Sequence, residues 1–214
     1  MKTAEQTIQF RESLEGEMAS YGVMLSSETL DGLAKYFQLL SAWNSSLHLV
    51  SFHSTAEFAT RHVLESLLLL KYLTPGARIA DVGSGGGLPI VPCLIARTDL
   101  HAVLVESSKK KAVFLREVLR EILIKERAQV YAERFESLAS PEVDFVTCRA
   151  LERFDAMLPR LIRWSPPQSA LLLFGGERLG TAIEGLAFSS ERILIPNSAR
   201  RFLFIVRTTG QPPE

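Results

Sequence analysis

The rhythm of hydrophobic positions changes near residue 76. Before it, Leu30, Leu33, Ala34, Phe37, Leu40 and Ala42 recur at helical spacing. Ser26 and Ser27, ahead of Glu28 and Thr29, form an N-cap region. A second helical run covers residues 55–73, with leucines at 64 and 67–70, until Thr74, Pro75 and Gly76 break it. The stretch Trp43–Leu49 between the two runs reads as a loop. After Gly76, short apolar runs alternate with helical patterns. Strands are expected at 78–82, 102–105, 128–132, 143–148, 170–174, 192–195 and 201–206. Helices are expected at 89–96, with Pro89 in the first turn, at 109–123 and at 154–164. The last two strands have only a short turn between them and should pair antiparallel. This alternation predicts an α/β, Rossmann-like fold: a doubly wound, seven-stranded, mostly parallel sheet with helices on both faces. An N-terminal helical extension over residues 1–75 precedes the main domain over 76–214.

Composition narrows the class. The 214 residues are 47% hydrophobic and 22% charged, ordinary for a globular chain. Twenty-four basic residues balance twenty-four acidic ones, which excludes a protein bound mainly by bulk positive charge. The placement is uneven, however. Residues 109–127 carry a net excess of four positive charges and residues 149–163 a further two, whereas the first 31 residues are acidic. Such a basic face suits phosphates; ordinary solvated helix faces remain the alternative. Two cysteines, Cys93 and Cys148, make no disulfide scaffold and point to a reducing, cytoplasmic setting. No run of 18 apolar residues exists, so no membrane partner is expected, and the opening residues do not read as a secretory signal.

The chemistry concentrates in Asp81-Val82-Gly83-Ser84-Gly85-Gly86-Gly87-Leu88-Pro89, between an expected strand and an expected helix. Glycines permit a sharp turn and close approach of a ligand, and turn amides with a helix N-terminus favour an electron-rich group. A dinucleotide site needs Gly or Ala at position 88, where this chain has Leu88. A looser acidic-x-Gly-x-Gly-x-Gly pattern, suited to S-adenosylmethionine, is met by Asp81, Gly83, Gly85 and Gly87. The second strand ends at Glu106, where a carboxylate accepts from both hydroxyls of a ribose. A turn that binds nothing, with a solvated acid at a strand end, is the plain alternative.

The chain resembles the RsmG (GidB) methyltransferases. The resemblance rests on Trp43-Asn44 with 47–51, Arg61-His62 with Glu65-Ser66-Leu67, Asp81 to Pro89, Val105-Glu106-Ser107, Lys109-Lys110-Lys111, Phe114-Leu115, Arg134-Phe135-Glu136 and Arg149-Ala150. It implies a class I S-adenosylmethionine-dependent methyltransferase that modifies guanine N7 in small-subunit (16S) ribosomal RNA. By motif, its cofactor contacts fall on Gly83, Leu88, Phe135, Glu136 and Arg149, beside Gly85 and Glu106 read from the residues themselves. Phe135 and Glu136 are expected near the adenine. Arg149 is expected to offer a bidentate fork to a carboxylate or phosphate, with an ion pair to Glu152 as its alternative. The chain departs from the family at Glu65, where an aspartate is usual, and at Ile90, often glycine. It departs again at Phe174-Gly175-Gly176, which lacks a lysine; Arg178 is the nearest substitute.

Guanine N7 has an in-plane lone pair and no proton to remove. Positioning is then the main requirement, and no catalytic dyad or general base is expected. Cys148 reads as a buried strand-end residue and not as a nucleophile, and His62 either positions RNA or is structural. Partners are small-subunit ribosomal RNA or a ribosomal particle. A methyltransferase of another substrate, or a non-catalytic S-adenosylmethionine-binding module, stays open.

Overall fold

The computed structural model describes residues 2–149, 154–186 and 188–207. The N-terminal part contains α1 (Lys2–Glu17), α2 (Ser27–Leu47) and a compound helix, α3. The latter joins Thr55–Glu57, a π-helical turn Phe58–Leu64, Glu65–Leu67 and a 3-10 turn Leu68–Lys71. The Ser26 hydroxyl caps α2 by accepting from the Thr29 amide at 3.1 Å. Phe10, Phe37 and Phe58 join the three helices; the Phe10 and Phe37 rings stack at 4.6 Å.

The sheet follows, with β1 (Arg78–Val82), α4 (Ile90–Ala96), β2 (His101–Val105), α5 (Lys109–Glu121), β3 (Ala128–Tyr131) and β4 (Phe145–Cys148). The chain then forms α6 (Phe154–Trp164), β5 (Ala170–Gly175), α7 (Glu177–Glu184), β6 (Ser189–Leu194) and β7 (Phe202–Arg207). Strand order is β3-β2-β1-β4-β5-β7-β6. The first five strands pair in parallel, and β7 inserts antiparallel between β5 and β6. Strand periodicity divides the core. Ile79, Leu104, Leu172 and Phe174 face α4, α5 and the N-terminal helices in one continuous cluster. Ala80, Val82, Leu171 and Leu173 face α6 and α7. The chain leaves β1 for β2 on one side and returns to β4 on the other, opening a crevice at the strands' carboxyl ends.

Four local features depart from expectation. Trp43–Leu47 is helical, not a loop, because burial extends α2: the Trp43 ring lies 5.8 Å from that of Phe114, and the helix stops only at left-handed His48. Pro89 precedes α4 instead of standing in its first turn. Helix α7 was not anticipated, and β6 starts at Ser189 although its side chains are largely exposed, because pairing with β7 and not an apolar pattern defines it. Ala150, Glu152 and Arg153 lie outside the described residues.

Candidate functional site

The turn after β1 is built by its own backbone. Gly83, Gly85 and Gly87 all have positive φ, at 75°, 52° and 89°. The amides of Gly83 and Ser84 donate to the Val105 carbonyl (2.8 and 3.3 Å), Gly85 donates to Glu106 Oε2 (2.9 Å), and Gly87 donates to the Ser84 carbonyl (2.6 Å). Four of the five amides from Gly83 to Gly87 thereby find acceptors inside the protein. The expected fan of amides for an electron-rich group is absent at these positions, so the turn offers shape and not an anion nest. That disfavours a pyrophosphate and fits a nucleoside with no phosphate.

Shape is clearest at Gly83, where an added Cβ would meet nothing within 4 Å. A side chain there would stand in open space at the cleft wall. Gly83→Ala is therefore expected to cost about 1–2 kcal/mol of stability, from the left-handed backbone alone. It should also weaken S-adenosylmethionine binding by at least about tenfold, since a lost contact of 1.4 kcal/mol is a factor of ten. Thermal unfolding and calorimetric titration check the two numbers separately.

Glu106 is fully engaged on one side and open on the other. It is 7% exposed; Oε2 accepts from Gly85 and Oε1 accepts from the Ser108 amide at 2.7 Å. Two backbone donors lock the carboxylate and leave its remaining lone pairs for the cleft. Beneath the turn lies Asp81, wholly buried, with neither carboxylate oxygen partnered among the described residues. The nearby Ser84 hydroxyl donates to the Asp81 backbone carbonyl (2.9 Å). Burial pushes the Asp81 carboxyl up to about 8. Tyr36, also buried, donates to the Gly86 carbonyl at 2.7 Å and so ties α2 to the turn.

A cleft of about 870 Å³ opens here, and all seven expected cofactor residues line it: Gly83, Gly85, Leu88, Glu106, Phe135, Glu136 and Arg149. Phe135 is buried edge-on against Trp164 (5.6 Å), and Glu136 stands 3.5 Å from Arg134 and 3.8 Å from Arg160. The site therefore fits a nucleoside cofactor: an open cradle at Gly83, a fixed carboxylate at the β2 end and an apolar wall at the β3 end. Lys111, Arg160 and the loop 49–51 also line the cleft; the sequence marked them as family-like or basic residues but not as cleft residues, because neither charge runs nor periodicity marks which residues converge. Arg178 is exposed and is not among the residues that line the cleft.

Arg149 departs most from expectation. Nη1 donates to the His62 carbonyl (3.1 Å) and Ser66 Oγ (3.2 Å); Nη2 donates to the Arg61 carbonyl and to Glu65 Oε2 (3.2 Å). Both guanidinium nitrogens that would form a bidentate fork are occupied by α3. The partner carboxylate, Glu65, is 2% exposed and also lies 2.8 Å from Arg201 at its other oxygen. Burial raises the Glu65 carboxyl, and the two guanidiniums oppose that rise.

His62 is nearly buried, lines the same cleft and bonds through Nε2 to the Ser51 carbonyl at 3.1 Å. Burial, reinforced by the Arg149 charge, lowers its pKa from 6.5 to about 4. The unfolded histidine takes its proton near pH 6.5, whereas the folded one resists until about 4. Stability is thus intact above 6.5 and falls as pH drops towards 4, by about 3 kcal/mol in total. Denaturant unfolding at stepped pH should show this acid limb, and His62→Gln should remove that part of it.

Comparisons with known proteins agree with this geometry. The sequence profile of the family described as rRNA small subunit methyltransferase G (GidB) matches residues 29–191. A protein of Sorangium cellulosum named ribosomal RNA small subunit methyltransferase G is 38% identical over 174 residues, 78% of this chain and 72% of that one. Its namesake in Halorhodospira halophila is 32% identical over 169 residues, 79% and 80% of the two chains. Among solved structures, an O-methyltransferase from Bacillus cereus in complex with SAH superposes with a TM-score of 0.62 at 16% identity, covering 90% of this chain and 97% of that one. A SAM-dependent methyltransferase from Aquifex aeolicus gives 0.57 at 14% identity, over 70% and 92%. At such identities the likeness establishes the fold.

Proposed function

The chain belongs to the rRNA small subunit methyltransferase G (GidB) family, and on that premise we propose that it methylates N7 of a guanine in small-subunit ribosomal RNA, with S-adenosylmethionine as donor. The single observation that carries the reading is the convergence of all seven expected residues on one cleft at the switch point of the sheet.

When bound, the cofactor supplies a methyl group made electrophilic by its sulfonium. The protein's part is placement. Glu106 accepts hydrogen bonds from the ribose hydroxyls, Gly83 leaves the space, and Leu88 with Phe135 covers apolar surface. The N7 lone pair needs no deprotonation, so alignment and exclusion of water supply the rate. The neutral His62 and the buried, protonated Asp81 are consistent with a site that moves no proton.

Lys111, Arg134 and Arg160 share the cleft and suit RNA phosphates flanking the target base. Arg160→Ala should weaken RNA binding and flatten its salt dependence by about one unit of slope; filter binding from 50 to 200 mM salt reads both. No helix among the described residues is long and apolar enough to cross a membrane, and a cytoplasmic site of action goes with the substrate. The deciding experiment is transfer of labelled methyl to naked 16S RNA and to the small subunit, followed by mapping of the modified atom. Label on another position or another class of molecule, or no transfer to either, defeats the reading.

A further inference from the structure

The π-helical turn of α3 does something an α-helical turn would not. Its wider spacing pairs the Glu65 amide with the Thr60 carbonyl, while the carbonyls of Arg61 and His62 meet Arg149 at the end of β4. The turn thereby carries the His62 ring to the cleft wall beside Arg149. The ends of β2 and β3, with Glu106 and Phe135, lie across β1 from there. His62 thus stands on the β4 side of the cleft, away from the strand ends that suit the ribose and the adenine.

The ring's tautomer is fixed by its partner. A carbonyl only accepts, so Nε2, 3.1 Å from the Ser51 oxygen, carries the hydrogen, and Nδ1 holds a lone pair. Nδ1 has no hydrogen-bond partner among the described residues. It is also not among the sealed polar atoms without a partner, such as Ser41 Oγ and both Asp81 carboxylate oxygens. Its lone pair is therefore open to the cleft. The loop it tethers is held from the other side by Asn44, whose amide both accepts from the Val50 amide (3.0 Å) and donates to the Val50 carbonyl (2.9 Å).

We propose that His62 recognises the target base, its Nδ1 accepting an N–H from the guanine edge that carries N1–H and the 2-amino group. This rests on the reading of a guanine as methyl acceptor. Adenine presents a lone pair at N1, and an acceptor facing an acceptor is repelled, so one imidazole both holds guanine and rejects adenine. Burial and the Arg149 charge keep the ring unprotonated, so the acceptor is present at neutral pH.

Two substitutions separate this role from the tether. His62→Gln keeps a donor near Nε2 for Ser51 and removes the Nδ1 acceptor. His62→Asn places an oxygen near Nδ1 and removes the donor to Ser51. The measurement is kcat/KM for methyl transfer to the RNA, with S-adenosylmethionine affinity followed by calorimetry. A wild type that methylates no guanine defeats the proposed function itself. With an active wild type, His62→Gln should lose about tenfold or more in kcat/KM at unchanged cofactor affinity, and His62→Asn should stay within about threefold. Wild-type turnover in His62→Gln, or equal losses in both variants, overturns the assignment. If His62→Asn no longer binds the cofactor, His62→Gln alone decides.

Discussion

Glu106→Gln should weaken S-adenosylmethionine binding about a hundredfold, read by calorimetric titration. Charge-assisted hydrogen bonds contribute roughly 1.5–3 kcal/mol each, so partial loss at two ribose hydroxyls reaches that size. The substitution also disturbs the turn. Both Glu106 oxygens accept from backbone amides, those of Gly85 and Ser108. A glutamine accepts at one and presents its own N–H to the other, whichever way it is turned. Donor then faces donor, and the Gly85 peptide must tilt. Glu106→Asp keeps the charge and should fall between the two. If Glu106→Gln binds within about threefold of the parent protein, Glu106 is not the ribose anchor.

Arg149→Ala is expected to destabilise the fold by about 3–5 kcal/mol, the range for breaking one side of a buried ion pair. Four hydrogen bonds from its guanidinium join the end of β4 to α3. Without them Glu65 keeps only Arg201, and the π-helical turn loses what holds its carbonyls. Chemical denaturation gives the free energy. A second readout comes from His62, whose pKa Arg149 lowers: it should rise in the variant, and its ring resonances should titrate at higher pH. A variant that melts like the parent, with an unmoved His62, would show that Arg149 serves a ligand and not the joint between β4 and α3. Arg149→Lys keeps the charge but not the four-fold contact, and should recover only part of the loss.

The residues that make chemistry possible were legible because their reasons are local. Gly83, Gly85 and Gly87 need positive φ, and glycine at alternate positions after an apolar strand shows that need directly. Glu106 follows from the length of one strand–turn–helix unit. Strands β1, β2, β4, β5 and β7 carry their burial in short apolar runs, and α2 carries its cap and stripe.

What the chain could not disclose was who meets whom. Arg149 was readable as a cation beside the cofactor, yet its fork closes on Arg61, His62, Ser66 and Glu65, which lie over 80 residues earlier. The turn's amides were readable as donors, yet Val105 and Glu106 take them. Helix α2 runs on through Trp43–Leu47 because Phe114 buries it, and β6 exists because β7 pairs with it. Backbone dihedrals and burial periodicity are properties of neighbours along the chain, so the sequence alone determined the glycine turn, the carboxylate after β2 and the seven-stranded order of elements. Hydrogen-bond partnership between distant segments, and which lone pairs are left facing the cleft, depend on distances that only the packed structure sets.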